Sequence, residues 1–264
     1  MKREKRTLII IFIFLLFLLF IINYSFLDHL VENSLVDRQT FTVERIVDGD
    51  TIIANGESIR LLGINSPEKG EKYSEEATQY LSNLIFNKTV EIEFGPEQRD
   101  KYGRILAYIY VDGFLVNSQI VREGYANIYF PSGKDNYYNS FLEMWRKCLE
   151  DNQNLCERSQ ESSTNCIVVK EISSLTQKII FHNRCLKDID LTAYTLKDEG
   201  RKKFTFPSFN VKKESYFSVI IGNGNSSQEN QILYWPGEDY VLTSTGDSIF
   251  LRDGQDRLVL WNSY

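Results

Sequence analysis

Three short clusters of charged residues interrupt apolar, strand-like parts of this 264-residue chain. Asp48 and Asp50 flank a glycine, and Arg60 lies in an apolar run that ends just before Glu68. The third cluster ends at Arg104. Carboxylates are hard oxygen ligands for divalent cations, and guanidinium groups bind phosphate oxygens in pairs. Each cluster alone is also typical of a solvated turn, but together they offer the groups that metal-assisted chemistry on an anion needs.

The surrounding segments predict a small, partly closed β-barrel with helices on one side. Asn55-Gly56 is a strong two-residue hairpin signal, so the strands on either side of it should pair. The predicted strands are Phe41–Val47, Thr51–Ala54, Glu57–Ile64, Thr89–Phe94 and Arg104–Val111. The predicted helices are Tyr73–Asn87, Asn117–Glu123 and Asn136–Leu149. Pro67 should end the third strand and leave Glu68 just beyond it, where site residues are common.

Linked motifs in this region resemble the staphylococcal (micrococcal) nuclease, or thermonuclease, family. They are VDGDT at 47–51, IRLLGINSPE at 59–68, DKYGR at 100–104 followed by LAYIYVDG, and VREGYA at 121–126. The resemblance covers about Thr42–Leu149. It implies an α+β fold on an OB-type five-stranded barrel, in agreement with the predicted strands. It also implies a Ca²⁺-dependent hydrolase that cleaves the phosphodiester bonds of DNA or RNA.

The resemblance implies roles for individual residues. Arg60 and Arg104 would hold the phosphate oxygens, and Glu68 would orient or deprotonate the attacking water. The implied calcium site consists of Asp50, Asn65 and the backbone carbonyl of Ser66, with Asp48 as nearby support. Lys101 and Tyr102 match family positions that contact a terminal phosphate of the substrate.

Asn65 departs from the family pattern, which usually has an aspartate here. An amide keeps a carbonyl oxygen as a metal ligand but removes one negative charge. We therefore expect weaker metal binding, with the two arginines still able to bind phosphate.

Beyond the predicted nuclease domain, 41–155, and a polar linker, 156–165, the chain is strand-rich to residue 264. Its strand-like runs are Ile167–Ile172, Lys178–His182, Leu191–Leu196, Lys203–Phe206, Tyr216–Ile221, Ile232–Tyr234, Ser248–Arg252 and Arg257–Trp261. The segments at 182–200 and 246–259 resemble the lamin-tail domain, which implies an all-β immunoglobulin-like sandwich. This lamin-tail-like domain shows no catalytic constellation, so it is interpreted as a binding or spacer module, and its ligand is unknown.

The N-terminus predicts a signal anchor over residues 1–27 and a juxtamembrane linker over 28–40. Basic residues in MKREKR precede fifteen apolar residues, Leu8–Ile22, and about 20 residues can span a bilayer as a transmembrane helix. The basic flank should stay in the cytoplasm, which places the later domains outside the cell. A cleaved signal peptide, giving a secreted protein, is the alternative, although the usual small-residue cleavage site is missing.

The composition excludes some function classes and leaves two. Two histidines cannot form a three-histidine zinc site within one chain, and a net charge of −6 argues against binding nucleic acid through bulk charge. Four cysteines could form disulfides outside the cell, with three pairings open. The favoured class is a nuclease, and the rival is a non-catalytic protein that binds nucleic acid or a cell-surface partner. Retention of Arg60, Glu68 and Arg104 favours the enzyme, since degenerate barrels of the family usually lose them.

Overall fold

In the computed structural model, residues 9–21, 38–161 and 164–264 are described. The chain forms two units, Met1–Gln39 and Thr40–Tyr264. In the first unit, residues 9–21 are helical and carry exposed apolar side chains. None of the described helices combines the length and apolar character needed to cross a membrane. Both ends of the predicted anchor, and most of the predicted linker after it, lie outside the described residues.

The first half of the second unit is a closed β-barrel. Its strands are β1 (Arg38–Asp48), β2 (Thr51–Ala54), β3 (Glu57–Leu61), β4 (Gly63–Asn65), β5 (Thr89–Arg99), β6 (Ile105–Val111), β7 (Phe114–Leu115) and β8 (Asn127–Tyr129). Six of them form one sheet in the order β3-β2-β1-β5-β6-β7, and a parallel β3–β6 pairing closes it. Strands β4 and β8 form a separate two-stranded sheet. The strand predicted at 57–64 is therefore divided between two sheets.

Three helices cover the barrel: α1 (Ser74–Ile85), α2 (Val116–Arg122) and α3 (Tyr138–Asp151). Helix α1 buries Ala77, Leu81 and Ile85, which share one face at helical spacing. The β2–β3 turn uses Asn55 and Gly56, both with positive φ, as their sequence predicts. The barrel with flanking helices is confirmed, with helix ends shifted by about two residues.

The second half of the unit is all β-sheet apart from one short 3₁₀ turn, within residues 164–264. Its strands are β9 (Ile167–Ser173), β10 (Lys178–Asn183), β11 (Ile189–Asp190), β12 (Thr195–Lys197), β13 (Lys203–Thr205), β14 (Asn210–Val211), β15 (Tyr216–Ile221), β16 (Ile232–Trp235), β17 (Ser248–Arg252) and β18 (Leu258–Ser263). Two four-stranded sheets, β16-β15-β10-β9 and β13-β12-β17-β18, contribute to one hydrophobic core. The β15–β16 pair is parallel.

The two halves share hydrophobic packing. Trp145 of α3 is fully buried and makes edge contacts with Phe250 and Trp261 of the C-terminal sheet, at centroid distances of 5.6 and 6.1 Å. The buried Arg252 donates from Nη2 to the carbonyl of Leu155 at 2.8 Å. Residues of β17 and β18 therefore belong to the core of the barrel as well as to their own sheet.

Two disulfides settle the pairing that the sequence left open. Cys148 is bonded to Cys156 at the end of α3, and Cys166 is bonded to Cys185 beside β9. The predicted linker is packed where it is described, because Ser159 donates its hydroxyl to Asp253 at 2.7 Å. The connection between the halves is therefore held at both ends.

Candidate active site

Asp48, Gly49 and Asp50 form the tight turn between β1 and β2, at a shift in the pairing register. The backbone N–H of Asp50 donates to Asp48 Oδ1 at 3.1 Å. Glycine is required here because a Cβ on residue 49 would lie 2.7 Å from the Cβ of Ala77 and 2.8 Å from that of Ser66. Burial, and second the charge of Asp50, raise the pKa of the Asp48 carboxyl. The turn thus places the Asp50 carboxylate beside Ser66, just after β4, while Asp48 accepts the hydrogen bond from the Asp50 backbone.

The Asp50 carboxylate has a complete set of partners. Its Oδ2 accepts hydrogen bonds from the backbone N–H and the hydroxyl of Ser66, at 2.7 and 3.0 Å, and lies 3.2 Å from Arg60 Nη2. Its Oδ1 accepts the hydroxyl hydrogen bond of Thr51 at 3.1 Å. Asp50 and Arg60 are only 5% and 7% exposed. Burial of two charges is tolerated where they pair and hydrogen bonds satisfy their remaining atoms.

The Arg60 guanidinium bridges Asp50 and Asn65. Its Nη2 donates to Asn65 Oδ1 at 3.3 Å, and its Nη1 donates to the carbonyl of Leu61 at 2.7 Å. A carboxylate oxygen of Asp50 and the amide oxygen of Asn65 therefore both lie next to one positively charged atom, Arg60 Nη2. Such hard oxygens fit Ca²⁺. Among the described residues, histidine, cysteine, aspartate and glutamate side chains form no group of three that could hold a metal, so a metal here would also need amide or carbonyl oxygens.

The third cluster forms the turn that leads into β6. Asp100 Oδ2 accepts the Nε hydrogen bond of Arg104 at 2.8 Å and lies 2.7 Å from its Nη2. Burial acts to raise the pKa of Asp100, but the hydrogen bonds and charge of Arg104 outweigh it and lower the pKa. Tyr102 is 72% exposed, with Lys101 Nζ 5.1 Å from its ring centroid. Lys101 and Tyr102 therefore lie at the surface beside Arg104.

One cleft joins the two predicted phosphate-binding arginines. Its volume is about 610 Å³, and Arg60, Arg104, Tyr108, Tyr129 and Phe130 are among the residues that line it. Arginines bind phosphate, and aromatic rings offer flat surfaces on which a base can stack. The cleft therefore has the chemistry to receive a nucleotide.

Glu68 has partners other than Asp50 and Arg60. It follows Pro67 after β4, its side chain is 46% exposed, and its Oε1 forms an ion pair with Arg201, whose Nε lies 2.6 Å away. Its backbone N–H donates to Glu71 Oε2 at 3.0 Å. The described structure thus brings Asp50, Arg60 and their amide and hydroxyl partners together, and it connects Glu68 to the C-terminal half instead.

Comparison with known proteins identifies the barrel. Residues 58–157 match the family model described as staphylococcal nuclease homologue. A thermonuclease from Staphylococcus hyicus is 31% identical over 122 residues, which cover 42% of this chain and 71% of that protein. The chain belongs to the staphylococcal nuclease family. It is therefore an enzyme of the nuclease class, a hydrolase.

Other relatives of this staphylococcal nuclease family member agree. A thermonuclease from Staphylococcus intermedius is 29% identical over 130 residues, covering 46% of this chain and 77% of that protein. An endonuclease of Bacillus subtilis (strain 168), YncB, is 37% identical over 107 residues, covering 35% of this chain and 51% of that protein. The predicted family is confirmed and the rival non-catalytic interpretation is disfavoured. The family match ends at residue 157, so the lamin-tail resemblance stays a prediction.

The nuclease site has a neighbour that the sequence did not predict: the β12–β13 loop, residues 198–202. Asn65 Nδ2 donates to the carbonyl of Gly200 at 2.9 Å, and Asn127 Nδ2 donates to that of Glu199 at 2.8 Å. The Lys-Asp-Glu-Gly sequence is typical of a solvated turn, yet Asp198 and Glu199 are each only 8% exposed. No local signal distinguishes this loop from an ordinary charged turn.

Three carboxyls around this loop have raised pKa values. Burial, and second the charge of Asp247, raise the pKa of Glu199 to about 8. Burial raises the pKa of Asp247 to about 7 and that of Asp198 to about 6. The nuclease site therefore borders a region whose net charge changes near neutral pH.

Proposed function

We propose that this protein is a Ca²⁺-dependent nuclease that hydrolyses phosphodiester bonds of DNA, RNA or both outside the cell. The observation that carries the proposal is the convergence of Asp50 and Asn65 oxygens on the Arg60 guanidinium, in a cleft that Arg60 shares with Arg104. The two thermonuclease relatives support the same reaction class.

The proposed reaction divides the work among the site residues. Arg60 and Arg104 bind the non-bridging phosphate oxygens, and their hydrogen bonds strengthen as negative charge builds on the phosphorus centre. Glu68 orients or deprotonates the attacking water. Asp50, Asn65 and the Ser66 carbonyl would hold the Ca²⁺, with Asp48 supporting Asp50 from the preceding residues. Bound Ca²⁺ would polarise the phosphate and neutralise part of its charge.

Digestion of plasmid DNA and of a structured RNA by the purified protein tests the proposal. Each substrate is incubated with millimolar Ca²⁺, with Mg²⁺ and with a chelator. We expect cleavage in Ca²⁺ and loss of cleavage in the chelator. Equal cleavage in the chelator would refute the metal dependence, and intact substrates under every condition would refute the nuclease.

The membrane location is a separate proposal. MKREKR followed by Leu8–Ile22 supports a signal anchor, with the N-terminus in the cytoplasm and the lamin-tail-like domain and the nuclease outside. Protease added to intact cells should then digest the chain, and membranes washed in high salt should retain the undigested protein. Recovery of a soluble external protein that starts near residue 28 would instead indicate a cleaved signal peptide.

A further inference from the structure

The β12–β13 loop is docked on the nuclease site by paired amides. Asn65 and Asn127 are direct partners across the β4–β8 ladder. Their side-chain amides donate to two consecutive carbonyls of the loop, those of Gly200 and Glu199. An aspartate at position 65 would have no hydrogen to donate. Asparagine at this position, where the family usually has aspartate, therefore supplies the hydrogen bond that docks the loop.

A third contact fixes the direction of the loop. The backbone N–H of Phe130 donates to Glu199 Oε1 at 3.1 Å, and Glu199 is almost completely buried. The loop is also closed on itself, because the backbone N–H of Lys202 donates to Asp198 Oδ1 at 2.9 Å. Residue 201 is thus held by ordered neighbours on both sides.

Arg201 is the residue that this loop presents to Glu68. Its Nε lies 2.6 Å from Glu68 Oε1, while its side chain is 61% exposed. An exposed ion pair of this kind contributes little to folding stability. Its effect is instead to restrict the half-exposed Glu68 side chain, which would otherwise sample several rotamers.

The charge of Arg201 also acts on a residue of the phosphate-binding cleft. Burial raises the pKa of the Tyr129 hydroxyl, whereas the charges of Arg60 and Arg201 both lower it. Tyr129 lines the cleft, so both guanidinium groups act electrostatically on one of its walls. The same Arg201, from the other half of the chain, is the ion-pair partner of Glu68.

We propose that Arg201 is a positioning residue, supplied by the C-terminal half, which holds the Glu68 carboxylate in the orientation that acts on water. The inference rests on the nuclease function proposed above. It predicts that the C-terminal half contributes to turnover through this ion pair.

Steady-state kinetics of the full-length protein test the inference. Arg201→Ala should lower kcat about 10-fold with KM changed less than about twofold, the size expected when a partner that orients a site residue is lost. Arg201→Lys should recover much of the loss, because an ammonium can still donate to one carboxylate oxygen. Arg184→Ala, which removes an exposed arginine of the same half, is the matched control and should leave kcat unchanged.

A double-mutant cycle with Glu68→Gln separates positioning from direct substrate contact. If Arg201 acts through Glu68, Arg201→Ala should change kcat less than about twofold in the Glu68→Gln protein. An equal loss in both backgrounds, a rise in KM alone, or an unchanged or higher kcat in Arg201→Ala would overturn the inference. Cleavage by the parent and its loss in Glu68→Gln test the nuclease proposal separately, and circular dichroism confirms that each variant is folded.

Discussion

The burial of Glu199 predicts how the free energy of unfolding depends on pH. Its pKa is about 8 in the folded protein against an ordinary value of 4.5, first because of burial and second because of Asp247. Between these two pH values the folded state keeps a proton that the unfolded chain has released. The resulting stabilisation of the folded state is complete below pH 4.5 and is lost as the pH rises through about 8.

The size of this loss follows from the same values. Each pH unit between 4.5 and about 8 corresponds to about 1.4 kcal/mol, so Glu199 alone removes about 5 kcal/mol of stability by pH 9. Glu199→Gln carries no charge at any pH and keeps an oxygen that accepts the Phe130 N–H. We therefore expect the variant to match the parent below pH 5 and to exceed it by about 3–5 kcal/mol at pH 9.

Urea unfolding of both proteins at pH 5, 7 and 9, with the disulfides intact, measures this difference. Glu76→Gln replaces an exposed glutamate of α1 and is the matched control, which should follow the parent at every pH. A difference between Glu199→Gln and the parent that stays constant across the pH range would refute the reasoning. A variant that is less stable than the parent at pH 9 would refute it as well.

Further predictions concern the site itself. Glu68→Gln should still bind a nucleotide while turnover falls by about 10²-fold or more, and turnover at the parent rate would exclude the assigned role. Arg60→Lys and Arg104→Lys should each lower turnover at least about 10-fold with an unchanged circular dichroism spectrum, because lysine cannot make the planar two-pronged contact. Asn65→Asp should lower the Ca²⁺ concentration for half-maximal activity, since it adds a charge beside the cation position. The same change removes the donor to Gly200 and should cost about 1–3 kcal/mol in urea unfolding. An unchanged Ca²⁺ requirement would mean that residue 65 does not face the metal.

Local patterns predicted the barrel well because its strands are joined by short turns with clear signals. The Asn55-Gly56 turn sets the β2–β3 register, which pairs Thr51 with Arg60 and so brings Asp50 beside the guanidinium. These contacts span few residues, and the family resemblance had assigned Asp50 and Arg60 to one site.

Contacts between the halves could not be predicted in the same way. The hydrogen bond from Asn65 to Gly200 joins residues 135 positions apart, and no periodicity or turn signal links them. The buried Asp198 and Glu199 likewise resemble surface charges until the loop is docked. The cysteines are a different case: both disulfides are local, with sequence separations of 8 and 19, but the spacing of the four residues alone does not choose among three pairings.

The packing of Trp145 between the halves bears on where this chain can be cut or altered. Trp145 touches Phe250 and Trp261 across the boundary of the matched family region. A chain that ended near residue 157 would expose this aromatic surface to water and invite aggregation. In this chain we therefore expect the folded state of the nuclease region to depend on β17 and β18, and a change in the size of Trp145 to be felt in both halves.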